Sequence, residues 1–132
     1  NIRYELASDV PVAQWAARFC GCEFCVRHGG VYASHPSAAL SVAVGDPEHL
    51  GRYRFATASA NFCFCGTCGV LVFLTCDMGG GVYGLVNMNT LDERPAELAA
   101  APVMSYEGES PEARLLRRKE NWIAKVKVQI GG

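Results

Sequence analysis

Seven cysteines stand in a chain of 132 residues, and six of them fall into two short groups of the same form. Cys20-Gly21-Cys22-Glu23-Phe24-Cys25 and Cys63-Phe64-Cys65-Gly66-Thr67-Cys68 both read C-x-C-x-x-C. Within C-x-x-C two sulfurs can converge on one zinc at about 2.3 Å, and a small residue lets the backbone turn tightly around the metal. A sulfur two residues upstream can take a third corner of the tetrahedron. Three thiolates leave the fourth position to water or substrate, which separates a catalytic zinc from a closed one. The odd count does not fit a complete disulfide framework. Clustered thiols in a reducing cytoplasm more often ligate metal or do redox chemistry.

Other arrangements use the same residues. A closed structural zinc made from Cys22, Cys25, Cys65 and Cys68 would give a ribbon-like module. A thioredoxin-like redox pair needs only C-x-x-C, although no βαβ pattern surrounds it here. Core placement is a further reading, because cysteine is among the most buried residue types. Cys76 has no partner spacing and is read that way. His28 follows Cys25 at C-x-x-H spacing; it closes the first zinc, relays protons or sits solvated in a loop. His35, ahead of Pro36, reads as a hydrogen-bonded residue at a strand end. Arg114, Arg117, Arg118 and Lys119 have acids nearby at Glu112 and Glu120, and read as a solvated helix face rather than an anion site.

The elements that must position these residues are mainly strands. Tyr53, Phe55 and Thr57 alternate with Arg52, Arg54 and Ala56, and Val126, Val128 and Ile130 alternate with Lys125, Lys127 and Gln129. Both segments predict strands with one wet face. Residues 39–44, 70–76 and 82–88 read as more fully buried strands, and 2–6 as a short one. Turn signals at Gly45-Asp46-Pro47, Gly66 and the triple glycine 79–81 divide them. Residues 94–100 are a short helix candidate. Ser110-Pro111-Glu112 places an N-cap, a first-turn proline and an acid ahead of a helix over 113–122. No linker or low-complexity segment interrupts the chain, so one mainly β domain over 1–132, with a single C-terminal helix, is expected.

Composition narrows the function classes. Half of the residues are hydrophobic and 19% are charged, which excludes disorder of the polar, highly charged kind. Twelve basic residues against thirteen acidic ones leave a net charge of −1. That balance offers no footprint for nucleic acid or an anionic membrane. Residues 55–76 carry no formal charge, but their polar members and glycines break the apolar run that a spanning helix needs. The first five residues have neither a basic nor an apolar signal region, so a cytoplasmic location is expected.

A set of motifs in fixed order adds to this reading. Cys20-Gly21-Cys22 with Cys25, then Arg27-His28-Gly29-Gly30, Gly45-Asp46-Pro47, Cys65-x-x-Cys68-Gly69 and Val86-Asn87-Met88-Asn89-Thr90-Leu91-Asp92 follow one another. Together they resemble the glutathione-dependent formaldehyde-activating enzyme family, which includes the centromere protein V domain. The closing helix resembles one bacterial branch of it. The resemblance implies two zinc ions on zinc-bound, antiparallel β-sheets. Cys20, Cys22 and Cys25 would hold the catalytic zinc, and Cys65 and Cys68 would supply half of a structural one. The other half is normally a C-x-C-G just ahead of a strand like residues 2–6. The resemblance therefore implies a short segment upstream of Asn1, with Cys63 as a partial stand-in. The implied activity is carbon–sulfur lyase chemistry, in which glutathione or a related thiol forms or releases an S-hydroxymethyl adduct with formaldehyde or a small aldehyde. A non-catalytic, zinc-stabilised interaction module is the alternative.

Overall fold

Side chains alternate between the two faces of a strand, and here that alternation decides which residues meet in the core and which reach the thiols. The protein is described by a computed structural model that covers residues 1–55 and 59–131. Its strands are β1 (Ile2–Ala7), β2 (Arg18–Cys20), β3 (Val31–Ala33), β4 (Ala39–Val44), β5 (Leu50–Tyr53), β6 (Asn61–Cys65), β7 (Leu71–Met78), β8 (Gly81–Asn87), β9 (Val103–Met104) and β10 (Lys125–Ile130). Two α-helices accompany them, the short α1 (Glu23–His28) and the longer α2 (Pro111–Asn121). The strands form a three-stranded sheet, ordered β1-β4-β10, and a seven-stranded sheet, ordered β5-β6-β7-β8-β3-β2-β9. The expected mainly β architecture with one substantial helix near the C-terminus is what the chain adopts.

Pairing is antiparallel except at two places. β10 runs parallel to β4, and β9 runs parallel to β2. Each parallel partner is reached by a long excursion of chain, where a tight hairpin would force the antiparallel sense. The β7–β8 hairpin is the tightest connection. Met78 pairs with Gly81, and the two residues between them, Gly79 and Gly80, have φ of 57° and 83°. A two-residue turn with both central φ positive suits glycine and matches the twist of the strands it joins.

The registers place the faces. Cys63 lies opposite Phe73, which lies opposite Val86, which lies opposite Ala33. This row faces the small sheet and packs with Leu40, Val42 and Val44 of β4. One residue along, Phe62, Leu74 and Leu85 form the opposite row. That row packs with Tyr32, Cys76, Trp122 and Cys25. β4 is expected to be one of the more fully buried strands. Instead Leu40, Val42 and Val44 are buried while Ser41 and Ala43 are exposed, because only one face of the small sheet is covered.

The other boundaries follow local chemistry. The alternating segment at 52–57 begins earlier, as β5, and ends at Tyr53; Ala56 and Thr57 lie outside the described residues. The helix expected over 94–100 is a 3-10 helix, Ala96–Ala100, begun by Pro95. α2 starts as its sequence predicts, with the Ser110 hydroxyl accepting from the Ala113 N–H at 3.1 Å and Pro111 in the first turn. At its end the chain changes face in one step, Trp122 packing with the thiol-side row and Ile123 with the inter-sheet core. Ile123 is held there by two backbone hydrogen bonds to Gly84, at 3.0 and 2.9 Å. No described helix is long and apolar enough to cross a membrane.

Gly84 is the point of closest approach. A Cβ at this position would lie 2.8 Å from the Leu74 carbonyl oxygen and 3.2 Å from Val126 Cγ2. Gly84→Ala should therefore destabilise the fold by about 1–3 kcal/mol, as overpacking of a core does. Chemical denaturation measures this, and an unchanged midpoint would refute the close approach.

Candidate metal centre

The first cysteine group is assembled by the end of a strand and the start of a helix. Arg18 and Cys20 are two apart on β2, so they share a face, and Arg18 pairs directly with Tyr32 on β3. Gly21 then turns the chain, its N–H bonded to the Met104 carbonyl of β9 at 2.8 Å. Cys22 caps α1, with its sulfur accepting from the Cys25 N–H at 3.4 Å. Cys25, buried in the first turn, brings its sulfur to 3.4 Å from the Tyr32 hydroxyl. Gly29, at φ 66°, ends the helix in the left-handed conformation.

The three sulfurs of Cys20, Cys22 and Cys25 lie within 4.8 Å of one another. Tetrahedral metal–sulfur bonds of about 2.3 Å set sulfurs about 3.8 Å apart, so small side-chain rotations suffice to bind an ion. The cluster can hold a metal ion. Among the described residues no histidine or carboxylate joins it. His28 is exposed and stacks on Phe24, with ring centroids 4.4 Å apart, so it does not close the site.

Electrostatics already favour a thiolate here. Cys20 is pulled down to about 5, chiefly because the Cys25 thiol donates to it. The Cys22 backbone N–H and the nearby Arg117 charge act in the same direction, against burial. Cys25, the donor, is pushed up by that bond and by burial. Tyr32 is raised first by burial and then by the negative charge beside it, so its hydroxyl keeps its proton.

These thiols line a cavity of about 430 Å³. Phe55, Phe62, Leu74, Leu85 and Trp122 give it an apolar wall, while Arg18, Arg114, Arg117 and Arg118 contribute cations. This corrects the solvated-face reading of the last helix, which holds only for Lys119. Arg118 is buried, and Arg114 and Arg117 are mostly covered and converge on Glu109. Arg117 reaches the two Glu109 oxygens at 3.0 and 3.1 Å, and Arg114 reaches one at 3.3 Å. The Arg117 guanidinium foremost, then Arg114, holds the Glu109 carboxyl below the usual range. Arg117 also lies 3.7 Å over the Tyr106 ring. The signal was the spacing 114, 117, 118, which shares one helix face, while Leu115 and Leu116 point to solvent.

The second cysteine group does not repeat the first. Cys63 belongs to the inter-sheet core opposite Phe73, its sulfur 3.9 Å from the Asn61 carbonyl and its thiol pushed up to about 11 by burial. It is no stand-in ligand, and the corrected reading is a core residue. Cys65 and Cys68 close a tight turn, with the Gly69 N–H on the Cys65 carbonyl at 2.7 Å and Gly69 at φ 80°. Backbone N–H groups of Cys68 and Thr67 pull Cys65 down to about 7. Among the described residues no third ligand joins this pair, and the closed zinc of Cys22, Cys25, Cys65 and Cys68 does not assemble. The Asn1 side chain and the Gly66 N–H share the His49 carbonyl, at 3.4 and 2.7 Å, which places residue 1 beside this turn. Cys76 is buried as expected, and His35 takes its expected hydrogen bonds from Ser37.

The chain matches no protein-family model, and no curated protein matches it significantly. It is similar to one solved structure, that of a Rhodobacter sphaeroides protein from a structural genomics programme. The two share 28% identity over 78% of this chain and 90% of that one, with a TM-score of 0.53. The likeness supports the fold and carries no activity with it.

Zinc titration of this chain should accordingly reach one tight equivalent, lost in Cys22→Ser and kept in Cys68→Ser. Metal analysis after dialysis reads the result; retention of zinc in Cys22→Ser would remove the triplet as a ligand set. Cys63→Ala should keep the metal and lose roughly 1–2 kcal/mol of stability, as a core truncation does.

Proposed function

We propose that the protein is a zinc-dependent carbon–sulfur lyase-type enzyme. It forms or breaks S-hydroxymethyl adducts between a small thiol, such as glutathione, and formaldehyde or another small aldehyde. The observation that carries this reading is the position of the three thiols. They line a cavity of about 430 Å³, and no described histidine or carboxylate occupies a fourth corner. An interaction module held together by zinc needs no such cavity beside its metal.

Cys20, Cys22 and Cys25 would hold the ion, and a set of three soft thiolates suits zinc. When bound, zinc supplies Lewis acidity that keeps a thiol ionised and polarises a carbonyl oxygen. The chain's own residues do the rest. Tyr32 places its hydroxyl against the Cys25 sulfur and fixes that side chain from the sheet. Phe55, Phe62 and Leu74 line the cavity and limit water around a small aldehyde that would otherwise hydrate. Holding thiol and aldehyde together in one cavity replaces a bimolecular encounter by a positioned one. In the forward direction the S–H adds across C=O: the carbon–sulfur bond forms and the proton passes to oxygen. The reverse step returns both reactants.

A reducing compartment such as the cytoplasm suits seven unpaired thiols. The Cys65–Cys68 turn is read as half of a structural zinc site, to which a preceding C-x-C would be delivered beside Asn1. The partners proposed are small molecules, with no nucleic acid and no membrane.

Exchange NMR with ¹³C-formaldehyde and glutathione tests the reading. Zinc-loaded protein should raise adduct exchange above the uncatalysed rate, and Cys22→Ser should return it to that rate. Equal exchange with and without the wild-type protein would overturn the assignment.

A further inference from the structure

Among the described residues, Arg118 is a buried cation without a carboxylate partner. It is only 8% exposed, and the described ion pairs leave it out. Its Nη1 donates to the Ser59 hydroxyl at 2.7 Å and lies 3.6 Å from the Cys76 sulfur. Its Nε is sealed from water and has no acceptor. Trp122, whose ring lies 5.0 Å beneath the guanidinium, likewise has a buried indole N–H with no acceptor. Arginine does not give up its proton in proteins, and a buried charge is costly unless it is paired. Arg114 and Arg117 face the same cavity but share the Glu109 carboxylate as an ion-pair partner.

We propose that Arg118 is the anchor for a carboxylate on the molecule held in the cavity, so that the site takes small carboxylic acids with an apolar or aromatic body. The planar guanidinium matches a carboxylate in shape and charge. Phe55, Phe62, Leu85 and Trp122 line the space that the rest of such a molecule would fill. The inference deepens the proposed function, since either the thiol or the aldehyde can bear this carboxylate, yet the binding itself needs neither reacting group.

The test therefore uses a probe that cannot react. Calorimetry compares 3-phenylpropionate with its uncharged amide, on zinc-loaded wild-type protein and on the metal-free protein. The acid should bind at least about tenfold more tightly than the amide in both forms, the gain of a charge-assisted hydrogen bond over a neutral one. Arg118→Gln should abolish the preference, and Arg118→Lys, which keeps the charge and loses the fork, should retain part of it. Melting curves establish that the variants fold. Should Arg118→Gln not fold, Arg118→Lys and the acid–amide comparison on wild type still decide. Equal binding of acid and amide to wild type overturns the proposal, as does a preference that survives in Arg118→Gln and disappears in Arg18→Gln. Tighter binding of phenyl phosphate than of the acid overturns the carboxylate class. Because no step of this test involves formaldehyde exchange, its failure and that of the lyase reading are separately visible.

Discussion

The central strands β3, β7 and β8 are covered on both faces, and the candidate site rests on that double burial. On one side Ala33, Phe73 and Val86 are clamped against Leu40, Val42 and Val44 of the small sheet. On the other, Tyr32, Leu74 and Leu85 form the floor that the thiols and α2 stand on. A side chain on that floor cannot move without disturbing the packed row behind it. Cys25 is tied to the floor through Tyr32, and Cys20 emerges from β2, the strand paired with β3. The three sulfurs are thus referenced to the sheet rather than to a free loop, as a precise metal or binding site requires.

The second constraint is the crossing between Trp122 and Ile123. α2 must lie on the thiol side for its arginines to reach the cavity, while β10 must lie on the far side to pair with β4. Successive residues of extended chain point in opposite directions, so one step suffices. Gly84 makes room for it, offering its own N–H and C=O to Ile123 at a place where any side chain would meet the Leu74 carbonyl. The helix is consequently turned with arginines inward and Leu115 and Leu116 outward. Glu109 pairs with two of those arginines; the third is left to a hydroxyl, a thiol and whatever occupies the cavity.

The strands read from the sequence were those whose pattern is local. Residues 125–130 alternate visibly, and the uncharged run around 71–76 has to be buried on both faces. β2, β3 and β9 were not legible, because two- and three-residue strands exist only through their partners. α1 escaped for a related reason: six residues are too few for a helical period to declare itself. The cysteine groups are more instructive. Cys20 and Cys63 hold the same position in identical spacings, yet one joins a cluster and the other is a core residue. Gly21 ends a strand and turns Cys20 toward Cys22, whereas Phe64 continues β6, whose register points Cys63 at Phe73. Spacing specifies which sulfurs can converge; the backbone between them decides whether they do. Charge alone reads the arginines of α2 as a solvated face, whereas their helical phase turns Arg114, Arg117 and Arg118 toward the cavity.

Charge balance links the two sides of the cavity. A divalent ion on three thiolates carries a net charge of −1, so the complex, like the free Cys20 thiolate, gains from a cation nearby. Arg117 already lowers the Cys20 pKa through its charge, even while paired with Glu109. A guanidinium held by a carboxylate still presents a field at a low-dielectric wall, but it no longer seeks another anion. Among the described residues Arg118 has no such partner, and it is set over Trp122 on the same wall. The wall therefore offers two kinds of positive charge, one held in place by the shared Glu109 carboxylate, which favours thiolate at the cysteine cluster, and one without a carboxylate among the described residues, which favours an incoming anion. A neutral ligand would leave Arg118 buried and unpaired; an anionic one pairs it and shares the cavity with the thiolates. That asymmetry orients a ligand with its negative end on α2 and the remainder free to approach Cys20, Cys22 and Cys25.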